Sequence, residues 1–560
     1  MATLSYLGIA LHNHPFVLTS VVLFLPLLLL IYRQRRDALK LNLPCAGSDF
    51  RTPSFLLPIA SLFWAKALIE DVYEKQKHEE DPQPYILPGV LGNEVMLPTS
   101  WIPWLASKPE AALSGKWSRI QRMNFDKTFM HSEVVTNPMQ EAVIRRDLVA
   151  NLDMLAPQLA EEIGAAVDEL WGCDVEKDCE VDLEETVFRI VARASSRVFA
   201  GKKVSRDATF VSNSIRFTMV VITSGFVMKI IPKFLEPLLV RPLVSYICFH
   251  YAKLSRVLEP LFQTTPPSKQ PPLTDEKLNN IPEHTESQGE VTAIQWLAEN
   301  AARDSTLHTK EQTPKWLALR LTTLIFATVD TTSLTSLNLL LDIFTNRNSS
   351  MSFVDRLRSE AHRNSQLFGT RWDRARLNSM PCHDSALRES MRLSGFAVKM
   401  LQRKVMATEG ITLPNGTVLP QGTMVCVSAW GLHHDNALYP QAMDYVPERF
   451  MASAAHKSLS VSDPDQKEGI EMPLRREMGP GKESMLLRTA AEGDNAFTFW
   501  GLGKQSCPGR YMAVDLIKIL LDYVVTRYDV VPLDERPQNM WVEYNYVPKK
   551  VKITVRRRKE

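Results

Sequence analysis

Cys507 stands in the run Phe499-Trp500-Gly501-Leu502-Gly503-Lys504-Gln505-Ser506-Cys507-Pro508-Gly509-Arg510, directly ahead of an apolar helical pattern. A cysteine at a helix N-terminus meets the positive end of the helix dipole, and Lys504 and Arg510 nearby add to the preference for thiolate over thiol. A thiolate can ligate iron. Gly501, Gly503 and Gly509 remove side chains where a flat cofactor needs the backbone close, and they tolerate the dihedrals of a loop wrapped around a ligating sulfur. Pro508 fixes the turn and suits a first-turn position. Taken alone, the run is better read as an ordinary buried cysteine before a helix, so the chemistry depends on what accompanies it.

Three further patterns do. Glu389 and Arg392 are three residues apart in Ala386-Leu387-Arg388-Glu389-Ser390-Met391-Arg392-Leu393, on one face of an expected helix. Such a pair is usually a solvated bridge of little worth, but Tyr445-Val446-Pro447-Glu448-Arg449-Phe450 supplies a third charge, Arg449. A long apolar pattern from Trp316 to Phe344 carries the pair Asp330-Thr331. A mid-helix Thr often turns its hydroxyl onto a carbonyl one turn earlier, which is expected to open the helix locally and admit water. The bland alternative is a helix whose Thr and Ser residues only pack against neighbours. In this order the four signatures resemble the cytochrome P-450 family, the haem-thiolate monooxygenases.

The resemblance implies a mainly α fold with a small β-rich lobe, and haem b held by Cys507 as the metal ligand. It implies that Glu389, Arg392 and Arg449 form a structural Glu-Arg-Arg cluster beneath the cysteine loop, and that Asp330 and Thr331 relay protons. Arg403, in Leu401-Gln402-Arg403-Lys404, is similar to the family's arginine that pairs a haem propionate. Trp500, Gly503, Lys504 and Gly509 complete the expected cofactor-binding set. The chain also departs from the family pattern. Trp500 replaces the usual Phe, Thr328 a frequent Gly, and Gln505 a common propionate-binding Arg or His, for which Lys504 is the expected substitute. No W-x-x-x-R pattern is evident: Trp117 is followed by Arg119 and Arg122, at the wrong spacing. The layout is most similar to membrane-bound fungal members that oxidise terpenoid and related secondary metabolites. A thiolate-ligated iron favours cleavage of the oxygen-oxygen bond. The implied activity is insertion of one oxygen atom into a lipophilic substrate, with electrons from a separate NADPH-cytochrome P-450 reductase, since no flavin or nicotinamide fold is visible. An oxygen-independent haem-thiolate isomerase or dehydratase and a non-catalytic haem-binding sensor stand as alternatives.

The remainder of the chain must position these residues. It has 560 residues with net charge +2, which excludes the clustered basic footprint of a nucleic-acid binder. Seven scattered cysteines without paired metal spacing fit a reducing compartment. Phe16 to Tyr32 is almost continuously apolar and is followed by Arg33, Arg35 and Arg36. That pattern predicts one transmembrane helix within residues 1-36, with the basic flank and all of 37-560 on the cytosolic side. A cleaved signal would carry its basic residues first. Endoplasmic reticulum anchoring of a monomeric catalytic domain is what the resemblance also implies. Leu41 to Pro53 reads as a linker, 54 to 80 as a helix, Pro82 to Leu97 as short strands, and 138 to 204 as helical. The apolar 207 to 262 reads as two helices whose connection touches the membrane surface. Gln263 to Val291 is a Pro-rich surface connection, and 452-495 a polar, exposed insertion. His433 and His434 are adjacent, with no third ligand at helical spacing, and read as turn residues rather than a metal site.

Overall fold

A computed structural model describes residues 41–48, 57–90, 92–231, 235–264, 291–304, 307–345, 348–451 and 489–559. The expected membrane span, most of the Pro-rich connection and residues 452–488 lie outside these. Eleven helices of nine residues or more appear among the described residues: α1 Leu57–His78, α2 Gly115–Met123, α3 Leu152–Trp171, α4 Leu183–Ala200, α5 Ala208–Ile230, α6 Glu236–Thr264, α7 Ala293–Arg303, α8 Pro314–Ile343, α9 Asn348–Phe368, α10 Pro381–Leu393 and α11 Arg510–Arg527. The strands are short, as the expected β-rich lobe requires. They are β1 Tyr85–Leu87, β2 Glu94–Leu97, β3 Leu113–Ser114, β4 Cys179–Asp182, β5 Lys399–Val405, β6 Ile411–Thr412, β7 Val418–Leu419, β8 Met424–Ser428, β9 Tyr528–Val530, β10 Met540–Val542, β11 Asn545–Val547 and β12 Lys552–Arg557.

The helix α8 is the axis of the molecule and packs against α4, α5, α6 and α10. Pro314 opens it at the first turn, where a missing N–H costs nothing. Its apolar residues enter the main core with those of α3, α4 and α11. The buried hydroxyls along it satisfy themselves on the preceding turn, as Thr322 does on the Ala318 carbonyl at 2.8 Å and Ser336 on that of Thr332 at 2.8 Å. Such local bonds let polar residues be buried without partners elsewhere. The helix stays regular through all 30 residues, so the expected local opening at Thr331 is not present. By length and hydropathy α8 and most of α5 could cross a membrane, but burial marks α8 as a core helix.

The main sheet has the order β1-β2-β8-β5-β3 and is antiparallel except for β2 with β8. Its interior side holds Val95, Leu97, Leu401, Val425 and Val427 in a second core. β5 carries a bulge between Met400 and Arg403, and the buried Leu401 takes φ 50° there. A buried branched residue in the left-handed region is costly; the bulge resets which side of the strand Gln402 and Arg403 face. Two expectations are corrected. Residues 41–48 are more than a linker, because the Ala46 N–H donates to the Ile86 carbonyl at 2.8 Å and that of Ile86 to Pro44 at 2.8 Å. The end of the expected insertion, 489–495, is only partly exposed: Ala490 and Ala491 are buried, and the Ala490 N–H donates to Asp384 at 3.0 Å.

Candidate active site

The foundation of the site is a carboxylate wrapped by guanidinium groups. Glu389 and Arg392, on the last turn of α10, are fully buried, and Arg392 donates from Nε and Nη2 to the two Glu389 oxygens at 2.8 Å each. Arg449 adds a third arm, its Nε lying 3.0 Å from both oxygens. The surplus positive charge ends on carbonyls: Arg392 reaches those of His433, Ala442 and Asp444, and Arg449 those of Pro440 and Gln441. The three residues picked from the sequence therefore meet, and they staple α10 to the stretch 433–449. Removing one partner would leave a buried charge uncompensated.

On this base stands the cysteine loop. Arg388, one residue before Glu389, donates to the Thr489 carbonyl at 3.2 Å and the Glu492 carbonyl at 2.6 Å, and it stacks 4.0 Å over the Phe497 ring. Trp500 anchors by its indole N–H on the Ala490 carbonyl at 2.7 Å. The loop then closes on itself, the Cys507 N–H donating to the Trp500 carbonyl at 2.8 Å. Gly501 and Gly503 take φ 71° and 63°, conformations that require glycine. Gly509 has φ near −89°, and an added Cβ there would meet open space, so the protein's own packing does not demand glycine.

Cys507 is an exposed residue, yet protein crowds around its sulfur. Burial pushes its thiol up, against the Gly509 N–H and the cations Arg510, Arg119 and Arg145. A metal ion at the sulfur would act with these cations in favour of the thiolate. Lys504 is exposed. Of the cations acting on the sulfur, sequence spacing missed Arg119 and Arg145. Arg145 donates to the Ser506 carbonyl at 3.1 Å. Gln505, where a basic residue is common, ties the loop to the sheet lobe: its oxygen accepts from Gly115 N–H at 2.9 Å and its amide donates to Leu113 at 3.1 Å. A Cβ built on Gly115 would lie 3.2 Å from Arg403 and 3.6 Å from Arg119, so the start of α2 brings both guanidinium groups to the loop.

Arg403 is the least satisfied charge here. It is 5 % exposed, donates to its own neighbour's carbonyl at Gln402, and its Nε has no acceptor among the described residues. Burial brings its pKa down to about 10. A buried guanidinium of this kind calls for an anion. On α8, Ala327 and Thr331 are the exposed residues from Trp316 to Ile343, one turn apart, making a bare strip in a helix buried elsewhere. The Thr331 hydroxyl donates to the Ala327 carbonyl at 2.9 Å, as expected of a mid-helix Thr. Burial raises the Asp330 carboxyl to about 6. An exposed cysteine, an unsatisfied buried cation, an unfilled glycine face and a bare helical strip fit a flat, dianionic iron porphyrin.

His433 is buried, with its Nε2 accepting from the Thr498 N–H at 3.2 Å, and it stacks on Phe497. His434 stacks on Trp430 at 3.8 Å. Both are structural, and no group of three metal-ligating side chains occurs among the described residues. All seven cysteines are free thiols.

Comparison with known proteins agrees with this geometry. The family model described as Cytochrome P450 matches residues 158–555. Cytochrome P450 monooxygenase polB of Polytolypa hystricis is 27% identical over 532 residues, 93% of this chain and 94% of that protein. Cytochrome P450 monooxygenase gloP of Glarea lozoyensis is 29% identical over 477 residues, 83% and 82% of the two chains. Cytochrome P450 monooxygenase nodZ of Hypoxylon pulicicidum is 25% identical over 540 residues, 94% of each.

Proposed function

Because the chain belongs to the cytochrome P450 family, and is thereby an oxidoreductase that binds haem through a cysteine thiolate, we propose that it inserts one atom of O2 into a lipophilic small molecule. The substrate class is a terpenoid or related secondary metabolite, and the electrons come from a separate NADPH-cytochrome P450 reductase. The observation that carries this reading is an exposed Cys507 and a buried Arg403 whose Nε has no acceptor among the described residues, with Arg119 in the field of both.

The Cys507 sulfur would hold the haem iron, and Arg403, with Arg119 beside it, would hold a propionate. Haem bound in this way supplies oxygen activation, to which the sulfur contributes electron density. Asp330, protonated up to about pH 6, is the internal acid. The Thr331 side chain on the bare strip orients the water through which that proton moves. Glu389, Arg392 and Arg449 hold the floor rigid and touch nothing that reacts. Trp500 and Gly503 shape the loop rather than react. The protein acts as a monomer, tethered by residues 1–36 in the endoplasmic reticulum membrane with its catalytic domain in the cytosol. Exposed apolar side chains support the membrane reading: Leu62, Phe63 and Trp64 on α1, and Leu238, Leu239, Tyr246 and Phe249 on α6.

Membranes containing the full chain and an NADPH-cytochrome P450 reductase, supplied with labelled dioxygen and a terpenoid extract, test this reading. It expects products carrying one labelled oxygen atom. Products formed without label, or without NADPH, would overturn it.

A further inference from the structure

A neutral side chain carries two hydrogen bonds from the cysteine loop to the sheet lobe. Gln505 lies two residues before Cys507, at the end of the helical turn Gly503–Gln505. Its Oε1 accepts from the Gly115 N–H at 2.9 Å and its Nε2 donates to the Leu113 carbonyl at 3.1 Å. These two groups flank Ser114, so the amide pairs with the chain much as a residue of a parallel strand would. β3 is an edge strand of the main sheet, and it pairs with β5, Ser114 opposite Lys404 and Leu113 opposite Val405. Lys404 directly follows Arg403. Contacts therefore run without a gap from the cysteine loop through Gln505 and the corner between β3 and α2 to the strand that carries Arg403.

That corner is built for close approach. A Cβ on Gly115 would lie 2.6 Å from Gln505 Oε1, 3.2 Å from Arg403 Nη1 and 3.6 Å from Arg119 Nη1, so three side-chain ends converge on a position that has no side chain of its own. Gly115 is not among the glycines at positive φ, so the residue serves space and not dihedrals. Helix α2 does not need Gln505 in order to start. Ser114 Oγ accepts from the Trp117 N–H at 2.9 Å and Glu110 from the Lys116 N–H at 3.0 Å, which caps the first turn locally. What the amide adds is the place of this corner relative to the cysteine loop. Arg403 depends on that place, because it donates within its own strand, to the Gln402 carbonyl, and makes no bond to the loop among the described residues.

We propose that Gln505 is a positioning residue that sets the spacing between the Cys507 sulfur and the Arg403 guanidinium, the groups that would hold the iron and a propionate of the haem. This rests on the haem reading and goes beyond it in assigning that spacing to a neutral amide and to the glycine it docks on. A site that grips one rigid molecule at two ends needs the two grips held at a fixed distance by supporting bonds.

The test is haem transfer from the full-length haem protein to apomyoglobin. Gln505→Met keeps the length of the side chain and removes both bonds, and should speed transfer about tenfold. Gly115→Ala should do the same by another route: its methyl displaces the Gln505 oxygen and presses on Arg403, while Ala suits a helix better than Gly. The decisive comparison is Gln505→Met combined with Arg403→Met. An amide that acts through Arg403 adds nothing once that guanidinium is gone, so the double variant should lose haem about tenfold faster than the parent, no more than either single variant. A loss about a hundredfold faster, the product of two independent effects, overturns the inference, as does parent-like retention in either Gln505→Met or Gly115→Ala. A red-shifted reduced carbon monoxide band in the parent keeps the haem reading standing under those results. Its absence there strikes the haem reading and the inference with it.

Discussion

Two buried arginine sites a few turns apart behave in opposite ways. Around Glu389, each guanidinium is matched on all sides, by a carboxylate and by five carbonyls. Around Cys507, itself an exposed residue, Arg403 keeps an Nε with no acceptor among the described residues. A fully satisfied network is a scaffold, and a deliberately incomplete one is a binding site. The difference also separates what a mutation should cost: stability at the first site, ligand retention at the second.

The largest expected effect lies in the scaffold. Glu389→Ala strands two buried guanidinium groups, at a cost of about 3–5 kcal/mol, and expression trials should yield no folded haem protein. A folded, haem-loaded variant would erase the contrast. Next comes proton delivery. Asp330→Asn should slow product formation about 100-fold with haem content unchanged, as read by single-turnover kinetics. In the parent protein, product per NADPH should fall as pH rises through about 6, where the raised Asp330 carboxyl loses its proton, and this limb should be missing from the variant. Thr331→Ala should likewise divert NADPH to peroxide without harming the helix, since Ala is a better helix former. Unchanged coupling in both variants would favour an oxygen-independent isomerase.

Arg403→Met sharpens the contrast directly. The protein without haem should be as stable as the parent or more so, because a poorly compensated charge is removed. Haem should leave about tenfold faster, the worth of one charge-assisted bond. Transfer to apomyoglobin measures the second quantity and thermal unfolding the first. The smallest effect belongs to His433, which must be neutral to accept from the Thr498 N–H. Burial lowers its pKa well below 6.5, so the unfolded chain binds the proton first and stability is lost as pH falls below about 6.5. His433→Gln should flatten that acid limb in a series of thermal melts; an unchanged limb would assign it to other groups.

How much of this was legible depends on whether a residue's partners are local. Glu389 and Arg392 share a helix face, so their spacing already implied the pair, and Arg449 came with a recognisable segment. The α8 pattern gave Asp330 and Thr331 for the same reason. Arg119 and Arg145 were not legible. They reach the sulfur only because Gln505 docks on Gly115 and because the Ser506 carbonyl turns toward Arg145, contacts made across some 360 to 390 residues of chain. Polar composition likewise gave no sign that Ala490 and Ala491 are buried, where Arg388 and Asp384 on α10 bond this stretch.

The most direct test of the central claim is the reduced, carbon monoxide-bound absorption spectrum of the full-length protein beside that of Cys507→Ala. A thiolate from Cys507 predicts a strongly red-shifted Soret band in the first and none in the second. An unshifted band of the histidine type in the parent protein, or a red-shifted band surviving in Cys507→Ala, would contradict the account.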